Sequence, residues 1–253
     1  GSGVPGDPRG PMTSPELAAA LAVAARASRL LVASDYDGCL SPIIADPARA
    51  VPHPGALEAF RSVAAHDTVR AAIVSGRSPE VLERFVGPHE EIELVGNHGS
   101  ELDPDDDPHD HVSALTAELR AAAVMHPGAV VEPKSLGAAF HYRHVTDERS
   151  AIEAASEVGA AHGTRTITGK KVLEFVFGDG DKGTAIAALV RRWNTDCTVF
   201  FGDDVTDEAV FAVLGSHDVG IKVGGGHTMA THRVADPDGV AEALRHLDAA
   251  LGA

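Results

Sequence analysis

The sequence predicts an α/β fold, a doubly wound and mostly parallel core sheet flanked by helices, with a smaller α+β domain inserted in it. Short apolar runs alternate with helical stretches up to about residue 100 and again after Asp181, as in βαβ winding. Between 101 and 177 the pattern changes to short strands and two helices, which indicates an inserted module. We therefore predict a core of 14–100 and 178–253 and an insertion of 101–177.

The individual elements follow from local signals. Ser14 and Pro15 supply an N-cap and a proline at the first helical position, which predicts a helix to about Ala27. The apolar run from Leu30 to Ala33 predicts a buried strand. The other predicted core elements are a helix at 55–65, a strand at 69–74, a helix at 79–86, a strand at 92–95, a helix at 185–193 and a strand at 198–201. The predicted insertion has helices at 112–124 and 148–161 and strands at 129–132, 138–144, 165–167 and 172–177.

Length and composition limit the class of protein. A chain of 253 residues can bury a full core, and its net charge of −16 argues against binding nucleic acid or anionic membranes. Two cysteines, Cys39 and Cys197, cannot form a disulfide framework and favour a reducing cytoplasm. We expect a soluble cytoplasmic monomer, and the sequence indicates no protein partner. Residues 1–13 are expected to be a disordered or non-native tail, with Met12 a candidate native start.

Asp35 and Asp37 lie two residues apart where the first predicted strand ends. Both carboxylates can therefore face the crevice at the carboxyl edge of the sheet, where open α/β sheets bind ligands. Two anions this close imply a hard metal or acid/base chemistry, because a cation or a shared proton must separate them. An Asp-x-Asp pair alone is a weak signal, since aspartates are common in surface turns.

Three further segments end predicted strands or begin a helix at the same edge. Ser75 and Gly76 supply a hydroxyl and open amides that suit a phosphate. Lys182 lies near a helix N-terminus, which is unfavourable for a cation unless an anion binds beside it. The segment 203–208 holds four acids in six residues, an arrangement that is costly without a metal.

These four segments, in this order, resemble the signatures of the haloacid dehalogenase-like phosphatases, from about residue 30 to the end of the chain. Finer motifs resemble the trehalose-6-phosphate phosphatase family; they are 35–42, 75–77, 96–99, 132–134, 141–143, 171–174 and 202–208. The resemblance implies a Rossmann-like core and makes the insertion a cap over the sugar. Two positions depart from the family pattern: Cys39 replaces the usual Thr, and 176–180 differs at the hinge before Asp181.

The resemblance also implies the reaction and the cofactor, which are hydrolysis of trehalose 6-phosphate and Mg²⁺. Asp35 would be the nucleophile that forms an aspartyl-phosphate, and Asp37 the acid/base. Phosphoryl oxygens would be held by Ser75, Gly76 and Lys182. The implied metal ligands are Asp35, Asp203 and the backbone carbonyl of Asp37, with Asp204 and Asp207 fixing Lys182 and metal waters. The implied sugar contacts are Glu132, Lys134, Arg143 and Glu174, followed by Arg77, Asn97 and His141.

Several alternatives stay open at this point. The same chemistry could act on a sucrose, glucosylglycerol or mannosylglycerate phosphate, or the phosphoryl group could pass to a second sugar hydroxyl, as in a mutase. A catalytically silent domain of the kind fused to sugar synthases is the rival from another class. Glu132 and Lys134 could be a solvated pair on one strand face, and His141 a structural residue.

Overall fold

The computed structural model describes residues 13–44, 49–88, 90–102, 109–134, 137–169, 171–177 and 181–253. They divide into two compact units, a core unit within 1–99 and 181–253 and an insertion unit within 100–180. Of the predicted tail, 1–12 lie outside the described residues, as do 178–180 of the predicted hinge.

Ten strands and eight α-helices make up the described part of the chain. The strands are β1 Leu30–Ser34, β2 Val69–Val74, β3 Ile92–Val95, β4 Val130–Lys134, β5 Gly137–His141, β6 Arg165–Gly169, β7 Val172–Val176, β8 Cys197–Gly202, β9 Val219–Val223 and β10 His232–Val234. The helices are α1 Pro15–Ala24, α2 Pro54–Ala64, α3 Pro79–Val86, α4 His109–Met125, α5 Glu148–Ala161, α6 Lys182–Trp193, α7 Glu208–Val213 and α8 Pro237–Leu251. Two short 3₁₀ segments, Asn97–Leu102 and Val205–Asp207, follow β3 and β8.

Strands β2 and β3 and helices α3 and α5 have the predicted bounds, the other predicted elements differ at one or both ends, and three of these differences have a visible cause. Helix α6 begins three residues before its predicted start, because the Asp181 side chain accepts the Thr184 amide and the Thr184 hydroxyl accepts the Asp181 amide. Helix α1 ends at Ala24 rather than near Ala27, because the amides of Arg26 and Ala27 donate to carbonyls three residues earlier, as in a 3₁₀ turn. Strand β5 ends at His141 rather than 144, because the chain turns where the Val145 amide donates to the Tyr142 carbonyl.

The core unit contains a six-stranded sheet in the order β10-β9-β8-β1-β2-β3, and every neighbouring pair is parallel. Strand β1 is central and buried on both faces, which accounts for its continuous apolar run. On one face, Leu30 and Val32 share a core with helices α1, α2 and α8. On the other, α6 and α7 cover the sheet, and Phe200 of β8 packs edge-on against Phe211 of α7. The predicted doubly wound α/β class is confirmed.

The insertion unit is an antiparallel four-stranded sheet in the order β4-β5-β7-β6. Helices α4 and α5 pack on one face of it, over a small core that includes Phe140 and Phe175. Because side chains alternate along a strand, the residues between these core positions point to the opposite face. This is the α+β module that the sequence predicts.

None of the helices in the described ranges combines the length and the apolar character that crossing a membrane requires.

Candidate active site

The parallel register brings the predicted motifs to one edge of the core sheet. Ser34, the last residue of β1, is level with Ile73 of β2 and Phe201 of β8. Asp35 is therefore one residue beyond this level. Ser75 and Asp203 are each two residues beyond it. The Asp35 amide continues the ladder by donating to the Phe201 carbonyl at 2.8 Å. The carboxyl ends of three adjacent strands thus place a carboxylate, a hydroxyl and an acidic loop side by side.

A lysine joins two buried carboxylates at this edge. Lys182 Nζ lies 2.8 Å from Asp35 Oδ2 and 2.8 Å from Asp207 Oδ1, and its side chain is only 2% exposed. The second oxygen of Asp207 accepts the amides of Asp203 and Asp204, at 2.8 and 2.9 Å. The other oxygen of Asp35 accepts the Tyr36 amide at 2.6 Å. One cation therefore holds together the ends of β1, β8 and α6.

Burial and like charges shift the pKa values in this cluster. Burial raises the pKa of Asp35, with Lys182 opposing and Asp207 and Asp203 adding to the rise. Burial lowers the pKa of Lys182, but the charges of Asp35 and Asp207 outweigh it and the net shift is upward. The pKa of Asp203 rises to about 6, first through burial and then through Asp207 and Asp204. The cluster thus holds more negative than positive charge.

The donor set fits a hard divalent cation. Asp35, Asp203 and Asp207 each offer a carboxylate oxygen, and these atoms lie within 4.8 Å of one another. Asp207 accepts three hydrogen bonds and Asp35 only two, so Asp207 has less capacity left for a metal, and Asp35 and Asp203 are the better ligands. The Asp203 carboxylate rests against the backbone of Gly38, where a Cβ would meet Asp203 Oδ2 at 2.0 Å. Oxygen donors in a crowded anionic site are what Mg²⁺ binds.

Asp37 is held by Arg77, a residue that the resemblance assigns to the sugar. Arg77 Nε donates to Asp37 Oδ2 and Arg77 Nη2 to Asp37 Oδ1, both at 2.7 Å. The hydrogen bonds that Arg77 donates to Asp37 are also the main reason why the pKa of Arg77 is raised. No local sequence pattern indicates this pair, because its members are 40 residues apart.

The Ser75–Gly76 turn is fixed by the turn after β3. The Asn97 amide donates to the Arg77 carbonyl and the His98 amide to the Ser75 carbonyl, both at 2.9 Å. Asn97 and His98 adopt left-handed conformations, with φ of 49° and 59°. The His98 ring covers Gly76, where a Cβ would meet it at 2.6 Å. Such strain in non-glycine residues is typical of functional sites.

Asp204 has a local role in the structure. Its carboxylate accepts the Val205 amide at 2.6 Å and caps the short 3₁₀ segment, whereas Asp207 is the residue that contacts Lys182. The two acids that the resemblance treats alike therefore have different partners.

Four of the predicted sugar contacts of the insertion lie on strands, on the sheet face opposite α4 and α5: Glu132, Lys134, His141 and Glu174. Glu132 of β4 pairs with Ala139 of β5, which pairs with Glu174 of β7, so the two glutamates are in one row across the sheet. Glu132 also lies 3.0 Å from His141 Nε2 and 3.3 Å from Lys134 Nζ. The hydrogen bond from His141 is the first cause of the lowered pKa of Glu132. Arg143 is exposed in the turn after β5.

Sequence reasoning missed Lys222, a buried lysine in β9 beside the acidic loop. Its Nζ donates to the backbone carbonyl of Asp203, and the side chain is almost completely buried. A single charged residue within the otherwise apolar strand Val219–Val223 was the signal that could have revealed it.

The fold and this edge together define the class of the haloacid dehalogenase-like phosphatases. The structure of Aspergillus fumigatus trehalose-6-phosphate phosphatase has a TM-score of 0.74 with this chain at 24% identity, covering 92% of this chain and 97% of that one. The family model described as trehalose-phosphatase matches residues 33–239. The chain belongs to the trehalose-phosphatase family, as its motifs indicated.

Two curated relatives give the extent of the similarity. A trehalose-phosphate phosphatase of Mycobacterium tuberculosis is 36% identical over 209 residues, covering 75% of this chain and 52% of the relative. A bifunctional trehalose-6-phosphate synthase/phosphatase of Thermoproteus tenax is 33% identical over 237 residues, covering 88% of this chain and 32% of the relative. The chain therefore spans between a third and about half of the length of these relatives.

Proposed function

We propose that this chain hydrolyses trehalose 6-phosphate to trehalose and phosphate, as a Mg²⁺-dependent step of trehalose biosynthesis in the cytoplasm. The observation that carries the proposal is the buried Asp35–Lys182–Asp207 cluster in a chain of this family. Burying two carboxylates and one ammonium is costly, and a silent domain would gain nothing from keeping them. Transfer of a dianionic phosphoryl group at this edge of the sheet would explain why the chain keeps the cluster.

In the first step, Asp35 attacks phosphorus. One of its carboxylate oxygens forms the new P–O bond while the bond from phosphorus to the sugar oxygen breaks, and Asp37 gives its proton to that oxygen. In the second step, Asp37 takes a proton from water as the water oxygen attacks the aspartyl-phosphate. The P–O bond to Asp35 breaks, and Asp35 returns to its initial form with release of phosphate.

Charge explains why the lysine lies where it does. A carboxylate that approaches a phosphate monoester brings one negative charge against about two, at about 4 kcal/mol per pair at 4 Å and an effective dielectric near 20. Lys182, at 2.8 Å from Asp35, offsets part of this repulsion of about 8 kcal/mol. When bound by Asp35, Asp203 and the Asp37 carbonyl, Mg²⁺ would supply Lewis-acid stabilisation of the phosphoryl oxygens.

Substrate recognition is divided between the two units in this proposal. In the core unit, the Ser75 hydroxyl and the Gly76 amide hold phosphoryl oxygens, next to the turn that carries Asn97. In the insertion unit, the proposed sugar contacts are Glu132, Lys134, His141, Arg143 and Glu174. Carboxylate and guanidinium groups suit sugar hydroxyls, because they can pair with them in fixed directions.

The test is phosphate release from trehalose 6-phosphate, with sucrose 6-phosphate and glucose 6-phosphate alongside, each with Mg²⁺ and with a chelator. We expect Mg²⁺-dependent preference for the trehalose ester. Asp35→Asn should abolish turnover, and Asp196→Asn is a matched control because Asp196 is exposed beside the amino end of β8 and pairs with Arg29. Preference for another ester would refute the substrate but not the chemistry, and phosphorylated sugar instead of free phosphate would indicate a phosphotransferase. No release from any ester would refute the phosphatase.

A further inference from the structure

Arg77 contacts both carboxylate oxygens of Asp37. Each oxygen accepts one guanidinium hydrogen bond at 2.7 Å, the two-point geometry in which arginine fixes the plane of a carboxylate. The Arg77 side chain is 12% exposed and that of Asp37 39%. The guanidinium is therefore enclosed, while the carboxyl that it orients stays accessible to solvent.

Two aromatic rings hold the guanidinium in place. The Arg77 Cζ atom lies 5.3 Å from the ring centroid of Tyr36 and 5.3 Å from that of Phe85. The two rings stack on each other at 5.9 Å, and the Tyr36 hydroxyl donates to the Ala50 carbonyl at 2.8 Å. Cation–π contacts of this kind restrict an arginine to one place. Tyr36, which lies between Asp35 and Asp37 in the sequence, thus holds Arg77 in place, and Arg77 in turn orients the Asp37 carboxylate.

We propose that Arg77 is a positioning residue that holds the Asp37 carboxyl in the orientation from which it transfers a proton to the departing oxygen. This inference rests on the proposed function, in which Asp37 is the acid. When the phosphorus–oxygen bond breaks, Asp37 gives up its proton and becomes a carboxylate, and the guanidinium charge stabilises that carboxylate where it forms. The structure thus assigns Arg77 to the proton donor, and the sugar contact implied by the resemblance is not needed to explain its position.

The inference is tested with two aryl phosphates of nearly equal shape. A nitrophenolate leaves without a proton far more readily than a phenolate, so 4-nitrophenyl phosphate needs little help from Asp37 and phenyl phosphate needs more. In Arg77→Ala, we expect kcat/KM to fall about 100-fold for phenyl phosphate and less than about fivefold for 4-nitrophenyl phosphate. The quantity kcat/KM reports the steps up to departure of the leaving group, so the later attack of water does not enter. If Arg77 served only as a sugar contact, Arg77→Ala would not lower kcat/KM for one aryl ester more than for the other.

A double-mutant cycle tests whether Arg77 acts through Asp37. Arg77→Ala combined with Asp37→Asn should be no slower on phenyl phosphate than Asp37→Asn alone, because the second change removes the group that the first misplaces. Arg77→Lys should recover only part of the activity, since an ammonium cannot make the two-point contact. Added guanidinium ion should partly restore Arg77→Ala. Arg70→Ala is the matched control, because Arg70 lies on β2, the strand that precedes Arg77, but is exposed and donates to the carbonyls of Asp67 and Val69.

Two results would overturn the inference. Equal losses on the two aryl esters would show that Arg77 does not serve leaving-group protonation, and full additivity with Asp37→Asn would show that it does not act through Asp37. Thermal unfolding of each variant controls for misfolding, and Arg77→Lys, which keeps the charge, provides the same comparison if Arg77→Ala does not fold. If the unaltered protein releases no phosphate from any ester, the proposed function fails first. The two failures are therefore distinguishable.

Discussion

Removing the charge of Lys182 should destabilise the protein even in the absence of substrate. In Lys182→Met, Asp35 Oδ2 and Asp207 Oδ1 each lose a partner at 2.8 Å, in a place where almost no water reaches them. Deleting one member of a buried ion pair costs about 3–5 kcal/mol, because the remaining charge stays buried without compensation. We expect a loss in this range rather than twice as much, since Asp35 can take up a proton once the lysine is gone.

The measurement is urea and thermal unfolding in chelator, so that added metal does not replace the lysine. A loss of 3–5 kcal/mol corresponds to a fall in Tm of roughly 6–20 °C for a chain of this size. Lys134→Met is the matched control, because Lys134 is 45% exposed and 3.3 Å from Glu132, and it should change stability by less than about 0.5 kcal/mol. Adding Asp207→Asn to Lys182→Met should recover part of the loss. A loss below about 1 kcal/mol with native circular dichroism would refute the reasoning.

The remaining predictions concern the metal site and the thiols. In Gly38→Ala, a Cβ would lie 2.0 Å from Asp203 Oδ2, so we expect at least a tenfold loss of activity and loss of the Tm increase that Mg²⁺ gives the unaltered protein. Gly224→Ala is the control, because φ at Gly224 is +78° but an added Cβ would have no atom within 4 Å. An equally large loss of activity in Gly224→Ala would show that backbone strain alone causes the effect. Asp203→Asn should abolish the same Mg²⁺-induced increase in Tm, and an unchanged increase would exclude Asp203 as a ligand. Burial raises the pKa of the Cys39 thiol strongly and that of Cys197 to about 11, so neither should react with Ellman's reagent near pH 8 until the protein unfolds, and rapid labelling of the native protein would contradict this.

Local patterns determined most of the secondary structure and the order of the motifs. The strands Leu30–Ser34 and Val69–Val74 follow from apolar runs, and the helix Pro79–Val86 follows from the proline at its first position. The convergence of Asp35, Ser75 and Lys182 could also be predicted. Strands wound in parallel must bring their carboxyl ends to one edge, so the motif order predicts the neighbourhood without coordinates.

The partners within that neighbourhood could not be predicted in the same way. Whether Lys182 contacts Asp204 or Asp207 depends on how the 3₁₀ turn after β8 rotates each carboxylate, and the turn directs Asp204 to the Val205 amide and Asp207 Oδ1 to the lysine. The buried Lys222 points at the Asp203 carbonyl because Gly202 and Lys222 are register partners in β8 and β9, which no local pattern specifies.

By itself, then, the sequence determined the α/β class, the inserted module and which residue types meet at the carboxyl edge, because these depend on periodicity and on chain order. Only the tertiary structure decided that Arg77, packed against the rings of Tyr36 and Phe85, pairs with Asp37, and that Gly38 leaves room for the Asp203 carboxylate. The contacts of Arg77 with Asp37 and of Gly38 with Asp203 join residues 40 or more positions apart, and they depend on register and side-chain rotamers that are fixed when the core packs.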